Sequence, residues 1–288
     1  MIKTAVVTGA NSGIGKITAL ELAKQSYRVV MVCRNRKKAE HAKRDISTQT
    51  GNTNLHIELC DLSVMTEIVK TAKRIITVYP AIDLLVNNAG ILPQRSRKST
   101  KEGFEVAFAV NHLAYFILAK ELLPALNNAE SSRIINVASE AHRSGKFEPT
   151  DLQLEKGYSA MKAYGNSKLF NIMFTRQLHK ELTGTNITTY SLHPGVVNTN
   201  FASESDSLFA KLFNLGRFFM LSPEKGASTT IYLCTEPGIE NLSGSYFIKS
   251  KPATPSKIAR NDRACKQLWE TSGKLVSSVI QSIDSANM

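Results

Sequence analysis

Thr4-Ala5-Val6-Val7-Thr8-Gly9-Ala10-Asn11-Ser12-Gly13-Ile14-Gly15 decides how this chain is read. A β-branched apolar run stops at a cluster of glycines, and the cluster opens a segment of helical period over 14–25. Gly9 permits a tight turn, Gly13 lets backbone approach an anion, and Gly15 lets helix and strand pack closely. Asn11, Ser12 and Ile14 complete the loop, with helix N-terminal amides facing the anion. Any strand-to-helix turn uses glycine. The spacing G-x-x-x-G-x-G at the first such junction nevertheless points to a bound nucleotide.

The same alternation continues outward. Arg28 to Cys33, Leu55 to Leu59, Ile82 to Val86, Arg133 to Ala138, Asn186 to Leu192 and Ser245 to Ile248 read as further strands of near-continuous apolarity. Segments 36–49, 63–78, 104–127, 159–182 and 223–235 have helix length and period. Strands buried on both faces and separated by helices predict an α/β fold, a parallel sheet between two helical layers. No linker, repeat or shift in composition divides the 288 residues, so 1–288 is expected to be a single domain. Ligands of such sheets sit beyond the carboxyl ends of the strands, where the informative motifs fall.

Composition narrows the partners. Four cysteines with no C-x-x-C pair and no histidine at ligand spacing suggest neither a disulfide framework nor a metal site. No stretch approaches roughly 18 uninterrupted apolar residues, and no signal-peptide pattern precedes the first strand, so a cytoplasmic protein without a transmembrane segment is expected. The net charge of +12 would suit nucleic acid, an anionic membrane or a phosphate. Arg34, Arg36, Lys37, Lys38, Lys43 and Arg44 crowd together after the second strand, which favours a local anion site. A basic element interleaved with aromatics is lacking, so nucleic acid is not an expected partner.

Val32-Cys33-Arg34 ends the second strand about 20 residues after the glycines, where an acidic side chain would hold a free ribose 2′-hydroxyl. A guanidinium suits a 2′-phosphate instead, since its planar fork can bond two phosphate oxygens. NADP(H) is therefore expected over NAD(H), with Asn35 and Lys38 beside Arg34. The solvated face of a helix is the competing account of 36–44.

Asp61-Leu62 after the third strand and Asn87-Asn88-Ala89-Gly90 after the fourth join the glycine loop in an order that resembles the short-chain dehydrogenase/reductase family. Asn111, Ser139, Tyr164, Lys168 and Pro194-Gly195-x-Val197-x-Thr199 continue it across nearly the whole chain. The resemblance implies a Rossmann-type, doubly wound parallel sheet. It implies cofactor contacts from Gly9, Asn11, Ser12, Gly13, Ile14, Gly15, Arg34, Asn35, Lys38, Asp61, Leu62, Asn88, Ala89, Gly90, Tyr164, Lys168, Pro194, Gly195, Val197 and Thr199. It also implies a catalytic set: Ser139 donating to the substrate oxygen, Asn111 positioning a water, and Lys168 holding the nicotinamide ribose.

Tyr164 and Lys168 stand at i and i+4 on one helix face. An isolated phenol is a poor base at neutral pH, and a nearby ammonium and a nicotinamide cation would favour its phenolate, making Tyr164 the general acid/base. Tyr158 and Lys162 repeat the spacing. Tyr164 is preferred because Ser167-Lys168-Leu169-x-Asn171 resembles the family's flanking pattern.

The gap from Ser139 to Tyr164 marks a substrate loop at 140–158 and resembles the retinol dehydrogenase-like branch. So do Val32-Cys33-Arg34-Asn35, Val110-Asn111-His112-Leu113, Leu192-His193-Pro194-Gly195, Ser243-Gly244-x-Tyr246-Phe247 and Leu268-Trp269-Glu270-x-Ser272. That branch implies reduction of retinal or related lipid aldehydes with NADPH. A lid is expected at 198–222, where Phe209, Leu212, Phe213 and Gly216 make an apolar helical stripe, although phenylalanines that complete the core or touch a membrane would look the same. His112, His142 and His193 read as packing histidines. The long apolar segments 104–127 and 159–182 could pair across a homodimer. The expected partner is a small-molecule carbonyl or alcohol, and the alternative function is a non-catalytic NADP(H)-binding scaffold or sensor.

Overall fold

The run that opens the chain is buried along its whole length and forms strand β1 (Thr4–Thr8) at the middle of the sheet. The computed structural model describes residues 2–197 and 221–286. Along the chain follow α1 (Gly13–Lys24), β2 (Arg28–Cys33), α2 (Arg36–Thr50), β3 (Leu55–Leu59), α3 (Met65–Val78), β4 (Leu84–Asn87), α4 (Val106–Asn127), β5 (Ser132–Val137), α5 (Ala160–Glu181), β6 (Ile187–His193), α6 (Pro223–Thr235), β7 (Tyr246–Ile248), β8 (Lys251–Ala253) and α7 (Asp262–Ala286). The strands lie in the order β3-β2-β1-β4-β5-β6-β7-β8, all parallel up to β7. The order reverses between β1 and β4, so the loops leaving those two strands flank the crevice in which such sheets hold ligands.

Alternate residues of each strand feed two cores. Val6, Val30, Leu85 and Ile134 pack against α3, α4, α5 and α7 on one face, while Val7, Met31, Val86 and Ile135 pack against α1, α2 and α6 on the other. This is the doubly wound arrangement that continuous apolar strands require. Local signals agree with the element ends. Asn35 caps α2 by accepting the Lys38 N–H at 3.0 Å, and Gly51 closes it in the left-handed region at φ 70°.

Differences from the sequence reading have local causes. Strand β4 begins two residues later than expected, because the Ile82 amide donates to the Ala125 carbonyl at 2.9 Å instead of joining the ladder. Helix α4 is interrupted at Ala109–Leu113 by a π-turn that buries Asn111 and His112. It is long and apolar enough to cross a membrane, yet 78% of its apolar window is buried inside the protein, so core packing accounts for its composition.

Strand β8 has no periodic signal in the sequence. It pairs antiparallel with β7, Ile248 opposite Lys251, through the two-residue turn Lys249-Ser250. Both turn residues have positive φ, 49° and 58°, where hairpins ordinarily place Asn-Gly. Helix α7 contains the Leu268-Trp269-Glu270 stretch. Trp269 stacks on Phe174 with ring centroids 5.8 Å apart and meets Phe116 edge-on at 4.9 Å. The aromatic residues shared by α4 and α5 are thus packed against the chain's own C-terminal helix. Most of the expected lid, 198–220, lies outside the described residues.

The left-handed backbone of the β7–β8 turn is costly for residues with a Cβ. Lys249→Asn combined with Ser250→Gly should raise the unfolding free energy by about 1 kcal/mol, read from denaturant midpoints at unchanged slope. An unchanged or lowered midpoint would contradict the strain assigned to this turn.

Candidate active site

Thr8 ends β1 with a hydroxyl that ties two loops together. Its Oγ1 accepts the amides of Asn88 at 2.9 Å and Ala89 at 3.0 Å and donates to the Val86 carbonyl at 3.3 Å. The Asn88 amide Nδ2 returns a bond to the Thr8 carbonyl at 2.8 Å. The glycine loop folds over this junction. Gly9 turns through φ 66°, and a Cβ on Gly15 would lie 2.4 Å from both Asn88 Nδ2 and the Gly9 carbonyl oxygen. A larger residue would fill the cradle. Ser12 caps α1 in an extended conformation, but its side chain makes no capping bond, so the first-turn amides are left to an anionic group.

The loop is drawn toward Arg34. The Gly9 amide donates to the Val32 carbonyl at 2.9 Å, and the backbone of Ala10 and Asn11 bonds the Cys33 sulfur, whose thiol burial pushes up to about 12. Arg34 follows at once, exposed with Arg36, Lys37 and Lys38. Asn35 is occupied as the cap of α2. Asp61 turns the chain after β3 by accepting the Ser63 amide and hydroxyl at 2.9 and 2.8 Å, and the Leu62 side chain is buried in the core. A glycine cradle at a helix N-terminus beside a cluster of cations fits a dinucleotide.

The expected catalytic residues converge at the carboxyl end of β5. Ser139 follows that strand and hydrogen-bonds the Tyr164 phenol. Lys168, buried on the same face of α5 as Tyr164, extends its Nζ to the Val137 carbonyl at 3.0 Å, with the Tyr164 ring centroid 5.7 Å away. Asn111 is buried in the π-turn. Its Oδ1 accepts the Ile91 amide at 2.8 Å, and its Nδ2 donates to the Ile91 carbonyl at 3.1 Å and to Ser167 Oγ at 3.0 Å. Ser167 Oγ donates in turn to the Tyr164 carbonyl at 2.8 Å. Asn111 therefore joins the loop after β4 to the helix that carries the tyrosine.

Tyr158 is elsewhere. Its hydroxyl donates to the Gln94 carbonyl at 3.0 Å, and Lys162 turns to the Gly157 carbonyl. Gln153 adds to that tie by accepting the Glu105 amide at 3.0 Å and, through its own carbonyl, the Arg97 Nε–H at 3.1 Å. The segment 140–158, expected to be the substrate loop, is therefore fastened to the loop after β4. Gly90 belongs to that same loop. Val197 is buried against Gly226 at the start of α6, closing the Pro194-Gly195 turn, whereas Thr199 lies outside the described residues.

Tyr115 escaped the sequence reading. It lies in the buried run 114–118, donates its hydroxyl to the Ala89 carbonyl at 2.8 Å and has its ring centroid 6.0 Å from Lys168 Nζ. A phenol inside an otherwise apolar helix segment is the signal that could have drawn attention to it.

The electrostatics differ from the expectation in one respect. Burial pushes the Tyr164 phenol up to about 12, against a smaller lowering by the Ser139 hydrogen bond, and burial brings the Lys168 amine down to about 7. Without its dinucleotide the site does not favour phenolate, because desolvation outweighs the neighbouring amine. Native Lys168 releases its proton near pH 7, whereas an unfolded lysine holds it to about 10.5. Between those values the unfolded chain binds more protons, so stability rises with pH, and below pH 7 the full penalty of an enclosed ammonium remains. Lys168→Met should therefore stabilise the fold, with a gain about 2–3 kcal/mol larger at pH 6 than at pH 9 in chemical denaturation. Equal gains at the two pH values would show that the amine is not desolvated in this way.

Comparison with known proteins agrees with this geometry. A family model described as short chain dehydrogenase matches residues 3–208. Retinol dehydrogenase 11 of Mus musculus is 41% identical over 274 residues, covering 95% of this chain and 86% of that protein. Retinol dehydrogenase 12 of Homo sapiens is 40% identical with the same coverage. A crystal structure of an uncharacterized protein from Mycobacterium paratuberculosis superposes with a TM-score of 0.77 at 29% identity, covering 96% of this chain and 93% of that one. The glycine cradle, the clamp at Thr8 and the cluster at the end of β5 thus belong to a chain that is a member of the short-chain dehydrogenase family, in its retinol dehydrogenase-like branch.

Proposed function

We propose that this protein is an NADP(H)-dependent oxidoreductase that interconverts a carbonyl and an alcohol on a bulky apolar substrate such as a lipid or retinoid-like aldehyde. The observation that carries the reading is the convergence of Ser139, Tyr164 and Lys168 at the carboxyl end of β5. The bound dinucleotide would supply or accept the hydride at its nicotinamide. Gly9, Ser12, Gly13 and Gly15 would hold its pyrophosphate, Arg34 with Lys38 a 2′-phosphate, and Lys168 the nicotinamide ribose.

The remaining steps fall to the chain. The substrate oxygen is held between the Ser139 hydroxyl and the Tyr164 phenol, and Tyr164 gives or takes the proton. With its pKa near 12 the phenol is protonated at neutral pH, which is the form that carbonyl reduction needs. The amine of Lys168, near 7, can exchange a proton with its surroundings while still donating to the Val137 carbonyl. The 40% identity to retinol dehydrogenases supports the apolar substrate class.

A panel of retinoid, alkyl and small polar aldehydes is assayed with NADPH and NADH side by side, following the absorbance of the reduced nicotinamide. NADPH-dependent reduction of the apolar aldehydes is expected, and silence across the panel despite tight NADPH binding would favour a binding-only protein. Tyr164→Phe should lower kcat by on the order of 100-fold or more, and a variant as active as the parent would overturn the role given to that phenol. Arg34→Ala should raise KM for NADPH on the order of 10-fold and leave NADH nearly unaffected. Equal use of both cofactors before and after that change would remove the 2′-phosphate reading.

A further inference from the structure

The turn Glu140–Ser144 follows Ser139 directly and carries a cluster of side chains that the chemistry above leaves unused. His142 is fully buried, with both ring nitrogens engaged. Nε2 accepts the Ser256 backbone N–H at 3.1 Å, so in the neutral ring the proton resides on Nδ1, which donates to the Ser139 carbonyl at 2.7 Å. The ring meets Tyr246 edge-on, centroids 5.1 Å apart. Tyr246 donates its hydroxyl to Glu140 Oε1 at 2.9 Å, and Arg143 donates Nε to Glu140 Oε2 at 2.8 Å and a terminal nitrogen to the Thr254 carbonyl at 3.1 Å. The Glu140 amide donates to His193 Nδ1 at 3.3 Å.

These bonds bring the end of β6, strand β7 and the segment beyond β8 to bear on one peptide, the one that leaves Ser139. A serine hydroxyl has a single side-chain torsion, so the backbone largely determines where its Oγ lies. Ser139 is extended, φ −164° and ψ 155°, and its Oγ already accepts the Ala141 amide at 3.2 Å. Rotating the carbonyl that His142 holds would change ψ and swing that turn away from Tyr164.

We propose that His142 is a positioning residue for the reaction, fixing the Ser139 peptide so that the Ser139 hydroxyl stays beside the Tyr164 phenol, where the two together hold the substrate oxygen. The proposal rests on the role given above to Ser139. His142 itself touches neither substrate nor dinucleotide. Its effect travels through one hydrogen bond, from Nδ1 to the Ser139 carbonyl, while the bond from Ser256 sets the tautomer and the tilt of the ring.

The two bonds can be separated by substitution. In His142→Asn the side-chain amide stands where Nδ1 stands and can still donate to the Ser139 carbonyl. In His142→Gln it reaches the position of Nε2 and serves the Ser256 amide, leaving the Ser139 carbonyl only the backbone amide of residue 142, 3.0 Å away, and no side-chain donor. Both variants lose the same ring, so a purely structural role would affect them alike. With the full chain, NADPH and the best aldehyde of the panel, Gln is expected to lower kcat by on the order of 10- to 100-fold, and Asn by severalfold at most. NADPH affinity, read by fluorescence titration, is expected to stay within about twofold of the parent in both.

Parent-like kcat in both variants, an equal loss in both, or a larger loss in Asn than in Gln would each overturn the proposal. Ser139→Ala tests the underlying reading independently. An inactive Ser139→Ala beside a fully active His142→Gln removes this inference alone, whereas an active Ser139→Ala removes the role of Ser139 and the inference with it.

Discussion

The amine of Lys168 sits inside the protein, 2% exposed, and donates to the Val137 carbonyl at the end of β5. A charge-assisted bond of this kind is worth roughly 1.5–3 kcal/mol, whereas withdrawing an ammonium from water costs several kcal/mol. The bond therefore fixes where the nitrogen stands without keeping it charged, and the pKa near 7 is the consequence. Placing that nitrogen demands that α5 lie against the carboxyl end of β5 at one rotation and one depth. Asn171, three residues on, donates to the same carbonyl at 3.2 Å and holds that setting.

Other parts of the site depend on the same setting. With α5 fixed, Ser167 faces Asn111 in the π-turn of α4, and Tyr164 faces Ser139. The π-turn is what lets one helix present both Asn111 and His112 inward. Asn111 reaches the loop after β4, while His112 approaches Ser272 of α7, with Nε2 and Oγ 3.1 Å apart. The C-terminal helix is thus packed one residue away from a member of the site, and its Trp269 fills the aromatic gap between α4 and α5. On the far side of the crevice, Thr8 holds the loops after β1 and β4 together, and the glycine loop can approach only because Gly15 has no side chain.

Much of this was legible in the order of residues. Continuous apolar strands alternating with helical periods specify a two-faced parallel sheet, and an arginine where β2 ends specifies the sign of the charge that belongs there. Less was legible where pairing decides the outcome. Lys249-Ser250 carries none of the usual hairpin chemistry, and only the antiparallel ladder of β7 with β8 compels its left-handed turn. Tyr115 looks like one more core residue until the Ala89 carbonyl is seen above it.

The sequence alone determined the sheet, the glycine cradle and the residue types of the candidate catalytic group, because periodicity, glycine spacing and i,i+4 placement are local properties. It offered two tyrosine-lysine pairs of equal spacing. Only the tertiary structure separates them by contact, turning Tyr158 to the Gln94 carbonyl and Tyr164 to Ser139. Only the tertiary structure, too, decides that desolvation rules the charges of Tyr164 and Lys168 and that Trp269 of α7 packs on Phe116 of α4 and Phe174 of α5. Burial depends on segments far apart in the chain meeting, and no local pattern encodes the meeting.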